Sequence, residues 1–285
     1  MDSAQHRGSR LGAALVRFAK PLVVALAVVS LIKLFALEAY RIPSGSMEGT
    51  LLPGDFVLVN KLAFGLRAPK HMPLVGWQLP PFAAVGGRPV RRGDVVVFEF
   101  SKGPAGRTFG RGSKLVKRVV GIPGDTVEVS GSDVRVNGNR LRVGLSAGGA
   151  QLPPGLGRQA SAQYGWAGPV VVPRKGQVVS LTGDRLEDWA EIIEAEGHAL
   201  TRHDDGSVFV DGEPRQAYTL AHDYYYVLGD NLHNSLDSRS WGFVSDRDLI
   251  GEVLMVYWSW HQGSGAEALS AFSSIRWGRI GSLVR

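Results

Sequence analysis

Eight stretches of this chain alternate apolar and polar residues with a period of two, and that period sets the fold class. They are FVLVN (56–60), DVVVFEF (94–100), KLVKRVVG (114–121), DTVEV (125–129), DVRVN (133–137), SVFVD (207–211), DYYYVLGD (223–230) and EVLMVYWSW (252–260). Each is β-branched or aromatic and is bounded by Gly, Pro, Asn or Asp, as half-buried strands are. Asn137-Gly138 and Asp211-Gly212 are residue pairs favoured in two-residue hairpin turns. The expectation is an all-β domain of mainly antiparallel sheets or a barrel. The 37 glycines and 15 prolines suit such a strand-and-turn chain better than a helical bundle.

One segment departs from this period. In GDRLEDWAEIIEAEGHAL, residues Leu186, Trp189, Ala190 and Ile193 fall at helical spacing. Asp184 with Glu187 resembles a capping box, and Gly197 is a natural stop. Residues 131–218 therefore read as a small inserted subdomain with one short helix, splitting a main β domain of residues 41–130 and 219–262. The Pro-rich stretch from Pro69 to Pro89, with Trp77 and Phe82, reads as a long loop or hairpin extension.

The N-terminal part is of a different kind. From Pro21 to Ala39 runs PLVVALAVVSLIKLFALEA, after a start that holds Arg7, Arg10, Arg17 and Lys20. About 20 apolar residues span a bilayer, and Lys33 lies near the far end, where its stem can snorkel. A cleaved signal peptide is a rival reading, but its apolar stretch is shorter and ALEAYRIPS is a poor cleavage site. A buried core helix is another. The reading adopted is a retained single-pass anchor over 21–40, with residues 1–20 as a basic cytoplasmic tail and the rest outside. Residues 263–285 read as a basic C-terminal tail.

The formal charge is +6, with a second basic stretch from Arg88 to Arg118. No helix-turn-helix, zinc-finger or RNA-binding pattern accompanies it, so anionic lipid is the expected partner and nucleic acid is not. The absence of cysteine excludes disulfides, Cys-ligated metals and Cys nucleophiles.

Three stretches carry chemistry. The first is IPSGSMEGTLLPGDFVLVNK (42–61), with two serines about a glycine. A serine hydroxyl is a weak nucleophile until a base takes its proton, and the seven histidines form no recognisable triad. The second is LVKRVVGIPGD, where strand alternation puts Lys117 on the face of Leu115 and Val119 and turns Arg118 the other way. Burial lowers a lysine's pKa, and a neutral lysine is a competent base, whereas arginine stays protonated. A snorkelling or ion-paired lysine is the plainer alternative. The third is GDNLHNSLDSRSWGF (229–243), a polar loop after a Tyr-rich strand, with hydroxyls able to orient an amine.

Together these stretches resemble the type I signal peptidases, the membrane-bound serine proteases of the serine/lysine-dyad type that remove signal peptides from exported proteins. PSGSM, GD-x-VLV-x-K, KR-x-VG-x-PGD and GDN-x-x-NS-x-DSR-x-WG occur in that family's order and approximate spacing, after an N-terminal apolar segment. The resemblance implies the signal peptidase type of β fold, with residues 41–130 and 219–262 as the catalytic domain. It implies Ser46 as nucleophile, Lys117 as general base, and Ser44 with the Ser46 N–H as the oxyanion hole. It also implies Ser235 as the lysine-orienting hydroxyl, and Asp230, Asp237, Arg239 and Arg118 as supporting polar residues, with Arg118 opposite Asp230. The implied substrates are preprotein signal peptides with A-x-A-like sites, cut at the outer, periplasmic side of the inner membrane near the secretion machinery. No cofactor or metal is implied. Gly49 stands where the family usually has proline, and Leu232 and His233 stand where charged residues are frequent. A self-cleaving protease of the repressor type shares the dyad but not the apolar segment. A membrane-anchored β-rich scaffold without catalysis is the non-enzymatic alternative.

Overall fold

A computed structural model describes residues 17, 19–26, 28–30, 32–65, 86–100, 112–141, 169–182, 186–261 and 274–284. The expected loop with Trp77 and Phe82, and the capping residue Asp184, lie outside these residues. The architecture is a seven-stranded sheet with smaller sheets against it. Its strands are β1 (Leu37–Arg41), β2 (Asp55–Asn60), β3 (Val95–Phe100), β4 (Ser113–Gly121), β5 (Tyr224–Leu228), β6 (Val244–Ser245) and β7 (Leu249–Ser259). Their order is β1-β2-β7-β3-β4-β5-β6, and every neighbouring pair is antiparallel.

The period of two builds this sheet. Val57 and Val59 of β2, Val95 and Val97 of β3, and Val253 and Val256 of β7 bury their side chains in one apolar cluster with Met47 and Leu51. The alternate residues Val96, Phe98 and Val119 enter a second cluster with Val227, Trp241 and Leu249. Because β3 and β4 contribute to both, the sheet is covered on both sides where they cross. There the β3–β4 register sets Val96 opposite Lys117 and Val95 opposite Arg118, so the two basic side chains leave on opposite faces.

Residues 37–41 correct the sequence reading, which carried the apolar helix through residue 40. They form β1, paired with β2 from Leu37↔Asn60 to Arg41↔Phe56. Strand pairing satisfies these backbone groups, and Tyr40 packs against the cluster around Val57. A short π-helical turn, Ile32–Ala36, precedes them. Residues 19–26 and 28–30 are helical, with Leu22, Val23, Val24, Leu26, Val28 and Val29 exposed. Among the described residues no helix is long and apolar enough to cross a membrane.

Both expected hairpins are present. Asn137 (φ 54) and Gly138 (φ 78) join Asp133–Val136 to Asn139–Arg140, and Asp211 (φ 52) and Gly212 (φ 82) join Val208–Val210 to Glu213–Pro214. Left-handed φ at both central residues matches the strand twist, which is why Asn-Gly and Asp-Gly recur there. The helical stretch forms α1 (Leu186–Ala195), buries Leu186, Ile192 and Ile193, and ends at Gly197 with φ +101. One apolar cluster joins these side chains to Val134, Val179 and Val208 and to Tyr224, Tyr226 and Leu228 of β5. The 131–218 stretch thus shares its core with the main sheet.

The C-terminal stretch, read as a tail, returns to the sheet. Arg279 reaches the buried Asp55 carboxylate and donates to the Thr50 carbonyl at 2.9 Å, and Arg276 donates to the Pro53 carbonyl at 2.9 Å. Asp55 also accepts from Ser259 Oγ at 2.6 Å and from the Leu52 N–H at 2.8 Å. Donors from three residues around one carboxylate offset its desolvation, which a lone buried charge cannot do.

Candidate active site

Ser46 sits in a 3-10 turn, Gly45–Met47, anchored by Met47, whose side chain is buried among the β2 and β3 valines. Ser44 precedes the turn in extended conformation (φ −129°, ψ 160°). The turn is tied to the loop after β5: the Asn231 N–H donates to the Ser46 carbonyl at 3.1 Å, and Asn231 Nδ2 donates to the Gly45 carbonyl at 3.2 Å.

Lys117 approaches from β4. Its side chain is 3% exposed, and its Nζ lies 2.7 Å from Ser46 Oγ, in hydrogen bond. Burial holds the amine down at about 8 from its ordinary 10.5, against the opposing pull of the Asp237 and Asp230 carboxylates. Arg239 adds a smaller push in the same downward direction as burial. A substantial fraction of such a lysine is neutral near pH 8, and a neutral amine accepts the proton that a serine loses as it attacks.

The supporting residues form two ion pairs. Arg118 donates to both oxygens of Asp230 at 2.7 Å, and both side chains are almost completely buried. Arg118 also donates to Thr50 Oγ1 at 2.9 Å and to the Gly93 carbonyl at 2.7 Å, so its guanidinium links the serine loop to the turn before β3. Asp237 pairs with Arg239 at 2.8 Å, caps α2 (Ser238–Trp241) and accepts the Gly229 N–H at 3.0 Å. Ser235 lies beside the turn but bonds elsewhere: its Oγ donates to the Leu236 carbonyl at 3.3 Å, while the bond that Lys117 makes is to Ser46. A Cβ on Gly229 would collide with Ser235 Oγ and come within 2.5 Å of the Ser46 carbonyl oxygen. Only glycine admits that approach.

A small cleft of about 70 Å³ opens beside Ser46, between Tyr40–Ser44 on one wall and Lys114–Val116 on the other. Ligand pockets for drug-sized molecules are several-fold larger, so this one takes a small side chain at most. Both walls are open strand edges. Among the described residues β1 has β2 as its sheet partner, and β4 pairs with β5 from Arg118 onward, so that no strand lies beside residues 114–117 on that side. Among the described residues no cluster of three or more His, Asp or Glu side chains is placed to hold a metal.

The family model described as "Signal peptidase, peptidase S26" matches residues 15–258. The chain belongs to this family. It is accordingly a peptide-bond hydrolase of the signal peptidase type. The signal peptidase I of Pseudomonas aeruginosa is 31% identical over 257 residues, covering 86% of this chain and 73% of the relative. That of Aquifex aeolicus is 28% identical over 251 residues, covering 84% and 82%. A crystal structure of a signal peptidase I from Enterococcus faecalis V583 is 21% identical and covers 58% of this chain and 97% of that one, with a TM-score of 0.25.

Against the family pattern, Gly49 has φ +107, which a proline ring, fixed near −65°, cannot adopt. Sequence reasoning overlooked Asn231, Thr50 and Gly229 as parts of the site. Gly229 and Asn231 lay in view inside the GDN motif; Thr50 acts through a contact that only the folded chain makes.

Proposed function

We propose that the chain is a membrane-anchored serine endopeptidase that removes N-terminal signal peptides from exported preproteins, cutting after small residues with Ser46 and Lys117 as its dyad. The observation that carries this reading is the 2.7 Å approach of a buried, pKa-lowered lysine to a serine that borders an edge-strand cleft. The preprotein's cleavage segment lies extended between β1 and β4, adding a strand where both edges are open. Its small residues enter the shallow cleft. Neutral Lys117 takes the Ser46 proton as Oγ attacks the carbonyl. The developing oxyanion is held by the Ser44 hydroxyl and the Ser46 N–H, both at the cleft wall. Protonated Lys117 returns the proton to the leaving amine, and the acyl-enzyme is hydrolysed by a water that the same lysine deprotonates. The Arg118–Asp230 and Asp237–Arg239 pairs hold the loops that carry the site.

The apolar N-terminal segment supplies the anchor, with its start on the cytoplasmic side and the catalytic domain on the outer side of the inner membrane, near the secretion machinery. The exposed side chains of Leu22, Val23, Val24, Leu26, Val28 and Val29 support this, since such a surface is expensive in water. The test is cleavage of a purified preprotein in detergent by wild type, Ser46→Ala and Lys117→Met. Loss of the specific cut in both folded variants is the expected result. Near-wild-type cleavage by either variant would remove that residue from the mechanism.

A further inference from the structure

The charged residues that line the cleft are Arg41 and Lys114, both cationic. Lys114 belongs to β4, yet its amine is carried across to β1. Its Nζ lies 3.1 Å from Glu38 Oε1 and 5.0 Å from the centre of the Tyr40 ring. Lys61 occupies the other Glu38 oxygen at 3.3 Å. Glu99 stands opposite Lys114 on the neighbouring strand β3. The Lys114 side chain is 42% exposed, so water screens its pairing with Glu38. An exposed ion pair of this kind is weak, and the ammonium stays available to a second carboxylate.

Its position along the strand fixes which substrate residue it meets. Lys114 is three residues from Lys117, about 10 Å at the rise of an extended strand. In the pairing taken here the peptide runs parallel to β4, with the attacked residue level with Lys117, and advances one residue for each residue of β4. The side chain level with Lys114 is then three residues before the one whose carbonyl Ser46 attacks, that is, the fourth before the cleaved bond. We infer that Lys114 is a specificity-determining residue: held over the cleft by Glu38 and Tyr40, it favours an acidic residue and disfavours a basic one at about that substrate position. The inference rests on reading the cleft as the peptide site.

The test uses the full-length enzyme in detergent and a set of A-x-A-type peptides. Asp, Ala or Lys is placed in turn at the second to fifth residues before the bond, and kcat/KM is measured. In wild type the Asp-to-Lys ratio is expected to peak at the fourth residue at about two- to fivefold, the range an exposed charge pair supplies, and to flatten in high salt. Lys114→Glu reverses the ratio, Lys114→Met abolishes it, and Glu38→Gln, which frees the amine, increases it. The readout is a ratio within each enzyme, so a uniform loss of activity in a variant does not imitate the effect. A flat ratio at all four positions in wild type overturns the inference, and so does an unchanged ratio in Lys114→Glu. Wild type that leaves the all-Ala peptide uncut would instead sink the proposed function, and this inference with it.

Discussion

Lys117 Nζ and Ser46 Oγ meet at 2.7 Å across 71 residues of sequence, and the lysine that makes the contact is almost wholly buried. The proximity matters chemically only if the amine is neutral. With its pKa at about 8, the acidic limb of a kcat/KM–pH profile is expected near pH 8. A limb near 10, where an unperturbed lysine titrates, would show that the base is not this buried amine.

The same shift has a sign for stability. The folded protein binds the Lys117 proton less tightly than the unfolded chain does. Between about 8 and 10.5 the unfolded state therefore holds more protons, and stability rises with pH across that window. Denaturant midpoints of wild type and Lys117→Met at several pH values isolate the term: only wild type is expected to carry this rise.

Lys117→Arg keeps charge and length but supplies no base, because a guanidinium does not lose its proton. Its rate is expected to fall by at least about a thousandfold, as for Ser46→Ala, with the double variant no slower than either single one. Single-turnover cleavage of a preprotein checks this. Additive losses would mean that the two residues do not act as a unit.

Arg118→Met leaves the fully buried Asp230 carboxylate without its guanidinium. A loss of about 3–5 kcal/mol in unfolding free energy is expected, with substantial recovery when Asp230→Leu is added. Equilibrium denaturation measures both. An Arg118→Met protein as stable as wild type would mean that the pair contributes nothing to holding the loop.

Gly229→Ala puts a methyl group where Ser235 Oγ and the Ser46 carbonyl converge. The Ser46 turn must move, so kcat is expected to fall by about tenfold or more, since displacement of the nucleophile by even an ångström is costly. Unchanged kcat would show that the turn tolerates a shift.

The alternating valines made most of the sheet legible, because each alternate residue had a buried side to fill. β1 escaped: LEAYR does not alternate cleanly and continues an apolar run, and its strand character comes from β2 beside it. Lys117 was legible as a lysine on an apolar face; Ser46 was not, since a serine beside a glycine reads as a turn until its motif is set beside the others. The Arg118–Asp230 pair joins residues 112 apart, and Asn231 reaches Gly45 across 186, distances over which spacing alone carries no signal. Ser235 shows the opposite error. The motif points to a hydroxyl on the lysine, whereas the folded loop turns that hydroxyl toward Leu236.

β7 lies between β2 and β3, although it follows both by about 150 residues or more. The early strands have no partner for those edges until residues 249–259 have been made. A growing chain therefore carries two unsatisfied, valine-rich edges through most of its synthesis, a state prone to pairing with other chains. Closing the sheet also requires contacts between residues far apart in sequence, which makes folding slow. The peptidase acquires its shape as a whole and late, and until then it depends on whatever shields exposed strands.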